Sequence, residues 1–562
     1  MIPGLLWLMM FAAMLQPLAS RLPNEGPQAN GGTAERYRVA GVVVDSVTGQ
    51  PLLHATMSLE TLADLNRGAD DEATMLTDGD GRFAFENLAA GHYVLWGQRK
   101  GYVQQRYKQH GTFSTGIVLG KDLSAENLRF EMTPDASIVG WVTDEMSEPV
   151  REARVLLVRE GRVNGRRRNV SPRAVLTDDQ GRYRIDHLGP GTYLIVVKAI
   201  PWYANGSGEN GNASATRNTK GRQATESRTE DANTDVTYPV TYFPSAVDHT
   251  AATPIVLHPG DTATANVSVA PVPAIHFTYR RYGNDPEEET SLVSISQTIV
   301  DGITERVSYR AGEHDGVIEI VGLPPGNLDF DWMVTKGGAV KKRSQTLHFG
   351  SSGEIESSED GATVKGTIQV DPRMRMPNPM ILLRNTLTGA EARARAESNG
   401  EFDFMREFAA GTYELSLMRA LEPSLVIAAS GAKTAGTTIE ISAGQNVALK
   451  IFASMSTAQV TGVAMKEGKA VDGVMVLLVP ADLDHEIGSM RIDQSDSDGS
   501  FNLARVVPGR YTILGIEDAW KAEWSSPDFL RKFLTRGQVV EVGADAKIKV
   551  NVNVQRNTNP PE

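Results

Sequence analysis

Thr77 to Leu95 reads TDGDGRFAFENLAAGHYVL. The DGDG start has the outline of a calcium loop, and the remainder that of a turn between two strands. An EF-hand loop needs carboxylates at alternate positions and an acidic twelfth residue. Counted from Asp78, the twelfth residue is Ala89. The stretch also recurs, and its recurrences decide the reading. Gly81–Tyr93, GRFAFENLAAGHY, returns as GRYRIDHLGPGTY (Gly181–Tyr193) and GSFNLARVVPGRY (Gly499–Tyr511). Weaker copies are GVIEIVGLPPGNL (Gly316–Leu328) and GEFDFMREFAAGTY (Gly400–Tyr413). The acidic residues change from copy to copy: Gln180 stands where Asp80 stood, and ESNGEF before Phe402 has no Asp. The glycine persists. Gly accepts φ > 0, and an Asp or Asn before it caps the turn with its own side chain. The stretch is therefore read as a β-hairpin turn. DQSDSDG (Asp493–Gly499) is the best remaining metal candidate.

Working outward, Phe83 and Phe85 are two apart and face one side of a strand, with Arg82, Ala84 and Glu86 on the other. Tyr183 with Ile185 and Phe501 with Leu503 repeat the parity. Half-buried alternation belongs to antiparallel sheets with one wet face, and the apolar face needs a second sheet over it. The Gly-x-Tyr step is similar to the tyrosine corner of immunoglobulin-like sandwiches, with the ring inward and the hydroxyl on a nearby backbone group. Each copy follows a strand–turn–strand pattern: VAGVVVDSVTGQPLLHATMSL from Val39, IVGWVTDEMSEPVREARVLLV from Ile138, VKGTIQVDPRMRMPNPMILL from Val364 and VTGVAMKEGKAVDGVMVLLV from Val460.

The expected fold is all-β: a tandem array of about five Greek-key, Ig-like or transthyretin-like antiparallel β-sandwiches. The expected boundaries are a signal peptide at 1–20, a linker at 21–36, sandwiches at 37–134, 135–271, 272–350 (degenerate), 363–455 and 456–557, and an acidic linker at 351–362. A polar insertion, 202–236, is expected to be disordered. The leader MIPGLLWLMMFAAMLQPLAS has an apolar run too short to span a bilayer, then Ala19 and Ser20; it implies export and leaves no membrane span after cleavage. No Lys or Arg precedes the run, so an uncleaved anchor is the alternative.

The net charge of −13 gives no cationic field for nucleic acid. The chain has no cysteine, which excludes disulfides, thiolate metal sites and cysteine nucleophiles. None of the ten His has Glu three residues on, and no H-E-x-x-H, G-x-S-x-G or G-x-x-x-x-G-K-[ST] is present. No catalytic residue, metal ligand or cofactor is expected, and His187 is read as a surface residue.

Residues 39–59 and 77–95, and after them 138–158 and 177–197, resemble carboxypeptidase regulatory-like domains. The copies at 364–413 and 460–511 match moderately and 275–328 poorly. The resemblance implies a transthyretin-like or carbohydrate-binding-like sandwich. TYFPSAVDHTAATPIVLHPGD (Thr241–Asp261) is similar to exported multi-repeat proteins of soil bacteria such as acidobacteria. Such modules occur on peptidases, receptors, adhesins and glycan-binding proteins alike, so the resemblance speaks to fold more than function. Related pilus modules form Lys–Asn isopeptide bonds; the first-strand candidate here, Lys365, has outward parity.

Three regions break the repeat. Arg162, Arg166, Arg167 and Arg168 form a cationic hairpin tip, either plainly solvated or a contact for anionic glycan. Trp202 and Tyr203 stand at the edge of the polar insertion. Trp520 and Trp524 precede a short helix pattern, Phe529–Leu530–Phe533, and either cap the last sandwich or stack on a sugar ring. Three functions follow: non-catalytic binding of a glycan or envelope partner, a polymer hydrolase with a carboxylate pair between domains, or a spacer of the cell envelope.

Overall fold

The computed structural model describes residues 35–62, 73–123, 125–163, 166–204, 234–282, 288–300, 303–354, 361–386, 390–418, 424–454, 458–483, 489–520, 522, 524 and 526–557. The leader, most of the polar insertion and much of the acidic linker lie outside them. The described chain is strand upon strand, with one α-helix, Pro527–Leu534, and two 3-10 turns.

In the first sandwich, Arg82–Leu88, Tyr37–Asp45 and Ala125–Met132 make one sheet. Ala73–Leu76, Thr56–Thr61 and Gly91–Gln98 make the other, with Gln105–Arg106 and Ile117–Leu119 at its edge. The two faces meet in one core holding Val39, Val43, Met57, Phe83, Phe85, Leu95 and Phe130. Four further cores repeat this: around Ile138 and Tyr193, around Phe277 and Phe330, around Val364 and Phe402, and around Val460 and Phe501.

The sheets are not antiparallel throughout, as the repeat led one to expect. In each sandwich the last strand runs parallel to the first: Ala125–Met132 beside Tyr37–Asp45, and Asn446–Ser454 beside Ala362–Val370. Closing strands also lie parallel to Ala136–Thr143, Ile275–Arg280 and Gln459–Lys466. The approach is close. A Cβ on Gly41 would stand 2.1 Å from the Leu128 carbonyl oxygen; on Gly140, 2.1 Å from that of Ala265; on Gly366, 2.1 Å from that of Leu449; on Gly462, 1.7 Å from that of Val550. The glycine two residues after Val39, Ile138, Val364 and Val460, which opens each full copy of the repeat, is therefore a demand of the closing strand.

The recurring turn is built as its chemistry suggests. Asp78 Oδ1 accepts the N–H groups of Asp80 (3.0 Å) and Arg82 (2.8 Å), and Gly81 has φ +71°. Asp178 does the same for Gln180 and Arg182. The Thr before each Asp is buried: Thr77 Oγ1 donates to Leu52 O and accepts from Ala55 N–H, and Thr177 repeats both bonds with Val150 and Ala153. Asp78 thus acts as a turn cap. Among the described residues no group of three or more acidic, His or Cys side chains is placed to hold a metal.

The tyrosine corner appears four times with one geometry. Tyr93 donates to Ala89 O (2.9 Å), Tyr193 to Gly189 O (2.6 Å), Tyr413 to Ala409 O (2.9 Å) and Tyr511 to Val507 O (2.7 Å), each four residues back. In the third sandwich Leu328 takes the place, fully buried and without a hydroxyl to satisfy. Lys365 is exposed between buried Val364 and Ile368, as its parity required.

Not every sheet keeps a wet face. Val155 and Leu157 belong to the second core, while Leu156 and Val158 pack with Val196, Val240 and Tyr242 on Ile299, Val300 and Ile303 of the third sandwich. Met475–Pro480 is buried at all six positions, because the helix Pro527–Leu534 and Trp524 cover its second face. The third and fourth sandwiches share one eight-stranded sheet, since Ala339–Phe349 pairs in parallel with Glu401–Phe408 at Lys342/Arg406 and Arg343/Glu407.

Candidate functional site

The described chain offers two places where side chains gather beyond the needs of one sandwich. The first lies where the second sandwich leads into the polar insertion. Trp202 follows the strand Gly191–Lys198 and is 73% exposed. Its ring meets Tyr203 edge-on, 5.7 Å between centroids and 88° between planes. Tyr203 is itself fixed: its hydroxyl donates to Glu145 Oε1 at 2.5 Å, and Tyr238 donates to Glu145 Oε2 at 3.4 Å. Desolvation first, then the bond to Glu145, pushes the Tyr203 hydroxyl up to about 12. Desolvation and the Glu145 charge push Tyr238 higher still. Both phenols therefore stay protonated donors at ordinary pH. The result is a broad indole face held by a tyrosine that cannot easily turn away.

The second place joins sandwiches far apart in sequence. Asp496 stands three residues before Gly499, the position of Asp78 and Asp178 in the earlier copies. In this copy the cap has moved to Asp498, whose Oδ1 accepts Ser500 N–H at 2.9 Å. Asp496 is thereby released, and it accepts the N–H of Gly116 (2.9 Å) in the first sandwich and meets His92 Nδ1 at 3.3 Å. Around it, Ser497 Oγ accepts Val118 N–H, Ser497 N–H donates to Gly116 O, and Gln494 Nε2 donates to Lys108 O and Thr115 Oγ1. Lys108 Nζ lies 2.6 Å from Asp472. Burial works against the Lys108 charge, but the Asp472 bond prevails and holds its pKa above the ordinary range. The candidate metal run Asp493–Gly499 is thus a docking turn; its carboxylates are engaged with N–H donors.

Trp520 and Trp524 do not form a shared sugar platform. Trp524 is 5% exposed, inside the cluster of Leu477, Leu514 and Phe533. Trp520 is half-buried against the first sandwich: its ring stacks on His110 at 5.0 Å and 7°, lies 5.6 Å from Phe113, and its Nε1 donates to Gly473 O. The reading that these tryptophans cap the last sandwich is the one that fits, and helix Pro527–Leu534 buries Leu530 and Phe533 as its spacing suggested. Arg166, Arg167 and Arg168 begin the strand Arg166–Leu176, paired with Val163, Arg162 and Gly161 in a long hairpin; their side chains lie outside the described residues. The structure does not bring this hairpin, Trp202 and Trp520 into one site by any described contact. His187 is exposed and paired with Asp135 (2.6 Å).

Sequence reasoning missed His92 and His110, and it singled out Gln494 and Asp496 only as part of a metal run. The sequence carried no signal for the shift of the cap, since SDSDG and TDGDG both place Asp three residues and one residue before the glycine.

Residues 38–129 match the carboxypeptidase regulatory-like domain family. No curated protein matches the chain. Among solved structures, the Bacillus anthracis TIE protein aligns over 93% of this chain and 75% of its own, at 11% identity and a TM-score of 0.17. The minor pilin of Streptococcus agalactiae aligns over 42% of this chain and 97% of its own, at 15% identity and a TM-score of 0.21. A streptococcal ancillary pilin aligns over 50% and 98%, at 11% identity and a TM-score of 0.18. Superpositions this loose carry no weight for function. Among the described residues no helix is long and apolar enough to cross a membrane.

Proposed function

We propose that this chain is a non-catalytic, exported binding protein whose β-sandwiches form a frame, and that the second sandwich presents Trp202 to a glycan of the cell envelope or its surroundings. The observation that carries the reading is the held indole: Trp202, 73% exposed, edge-packed on a Tyr203 that Glu145 fixes in place. An indole face suits the C–H face of a pyranose, and a ring that is already positioned loses little freedom on binding. Glu145 and the two phenols supply polar groups near that ring. The leader supports export, and the regulatory-like match over residues 38–129 supports a module that accompanies chemistry without performing it. The likeness of the other units to the same domain, and of Thr241–Asp261 to exported multi-repeat proteins of soil bacteria, belongs to the same reading.

The test is a glycan array with residues 21–562, followed by titration of any ligand found. Trp202→Ala is expected to lower affinity at least about tenfold, the scale of one lost aromatic contact of about 1.5 kcal/mol, with no change in melting temperature. Binding that survives Trp202→Ala unchanged would sink the assignment of the site. Turnover of a polymer would replace it with the hydrolase reading.

A further inference from the structure

We propose that two copies of this chain pair edge to edge through the strand Ser424–Ser430, joining their eight-stranded sheets across a two-fold axis at Ile427. This strand ends the sheet shared by the third and fourth sandwiches, after Asn446–Ser454. Its inner edge pairs with that neighbour from Ser424/Ser454 to Ser430/Ala448. Among the described residues no strand pairs with its outer edge. The other end of the same sheet, Ile303–Arg306, is closed off: Lys198 of the second sandwich donates to Arg306 O, and Ile303 packs beneath Tyr242 and Val158.

The sequence of the open edge is SLVIAAS: seven residues, no charge and no proline. Strands that end sheets elsewhere in the chain carry charges, as in EARAR (Glu391–Arg395), RAGEH (Arg310–His314) and ITER (Ile303–Arg306). The uncharged end strand ATML (Ala73–Leu76) is only four residues long. Charged or short edges discourage strand addition; a long, apolar edge invites it. On its outward face Val426 is 63% exposed beside its cross-strand neighbour Phe452, 42% exposed, so an apolar surface adjoins the open backbone.

A second copy is the occupant the strand itself fits. Antiparallel pairing about Ile427 sets Val426 against Ala428, Leu425 against Ala429 and Ser424 against Ser430, with no like charges opposed. The chain already joins two sandwiches in this way: the parallel edge pairing at Lys342/Arg406 and Arg343/Glu407 extends this very sheet. A seven-residue edge with a small apolar patch falls short of the roughly 1,000 Å² of a firm interface, so weak, reversible association is expected.

Sedimentation velocity on the purified full chain from about 1 to 100 μM tests this, a range of protein concentration suited to a weak, reversible interface. The wild type is expected to shift from one chain toward two. In the doubly substituted Val426→Glu, Ala428→Glu chain, Glu opposes Glu across the axis and the shift is lost; position 428 pairs with Lys450 of its own sheet, so a carboxylate there has a cation beside it, which favours folding. In Val426→Lys, Ala428→Glu, Lys opposes Glu and the shift returns. Circular dichroism checks that both variants keep the wild-type fold. A wild type that stays one chain at 100 μM, a Glu/Glu chain that still pairs, a Lys/Glu chain that does not, or growth beyond two chains would each overturn the proposal.

Discussion

The carboxylate of Asp496 accepts the backbone N–H of Gly116 at 2.9 Å, across 380 residues of chain. The first and fifth sandwiches are therefore in contact, and the array folds back so that its first and last members meet. A Cβ on Gly116 would stand 2.6 Å from Asp496 Oδ1, so the position also limits what can approach. Asp496→Ala leaves the Gly116 N–H and His92 without their acceptor, a loss of about 1–3 kcal/mol at a part-buried site. The expected result is faster proteolysis in the Gly111–Leu119 segment and a larger radius of gyration by small-angle scattering. An unchanged scattering profile would show that the remaining contacts, among them Trp520 on His110 and the bonds of Gln494, Ser497 and Lys108, suffice.

The turn that makes this contact has a pH dependence of definite sign. Burial pushes Asp493 up to about 7 from an ordinary 3.8, with the Asp496 charge adding to it and the N–H bonds from Asn502 and Gln494 opposing. The Asp496 hydrogen bond raises His92 above its ordinary 6.5. Facing these groups are His110, Lys108, Asp472 and Asp498. Both shifted groups bind a proton more tightly in the folded chain. Asp493's contribution is therefore greatest in acid and is lost as pH rises from about 3.8 to 7; that of His92 is lost as pH rises through its raised value. Melting temperature is expected to fall over this range. The fall should be shallower in Asp493→Asn, which has no proton to lose; parallel curves for the two proteins would refute the assignment.

Gly41 and Gly79 make a matched pair. Gly41→Ala drives a Cβ into the Leu128 carbonyl, whereas a Cβ on Gly79 meets nothing within 4 Å. Forcing the closing strand away costs about 3 kcal/mol or more, while Gly79→Ala changes stability by under about 0.5 kcal/mol. Urea unfolding of the two variants checks the contrast.

The tyrosine corner predicts a smaller effect. Tyr193→Phe keeps the buried ring and removes only the 2.6 Å bond to Gly189 O. The expected cost is about 1 kcal/mol. Tyr93→Phe and Tyr511→Phe should match it within a factor of two, since all three hydroxyls reach the carbonyl four residues back. Thermal unfolding of the three variants measures this; a Tyr193→Phe protein as stable as the wild type would reduce the corner to ring packing alone.

The sequence by itself determined the strands, the turns and the five cores. Alternation in RFAFENL reports which side of a strand is apolar, and Thr-Asp-x-x-Gly reports a turn whose bonds are nearly all local, so both survive without knowledge of their surroundings. What covers an apolar face is a long-range matter, and only the tertiary structure decided it. Trp202 and Trp524 both stand near a break in the repeat, where the sequence left open whether an aromatic ring is covered, yet one is 73% exposed and the other 5%. Asn87, His187 and Met405 share nothing chemically, yet all take φ between 50° and 60°, at the break in register where their strand pairs with the first strand of its sandwich. Their backbone is set by register, not by propensity. The parallel closing strand belongs to the same class: its demand appears in the chain only as a glycine, and the carbonyl that explains Gly41 lies 87 residues further on, at Leu128.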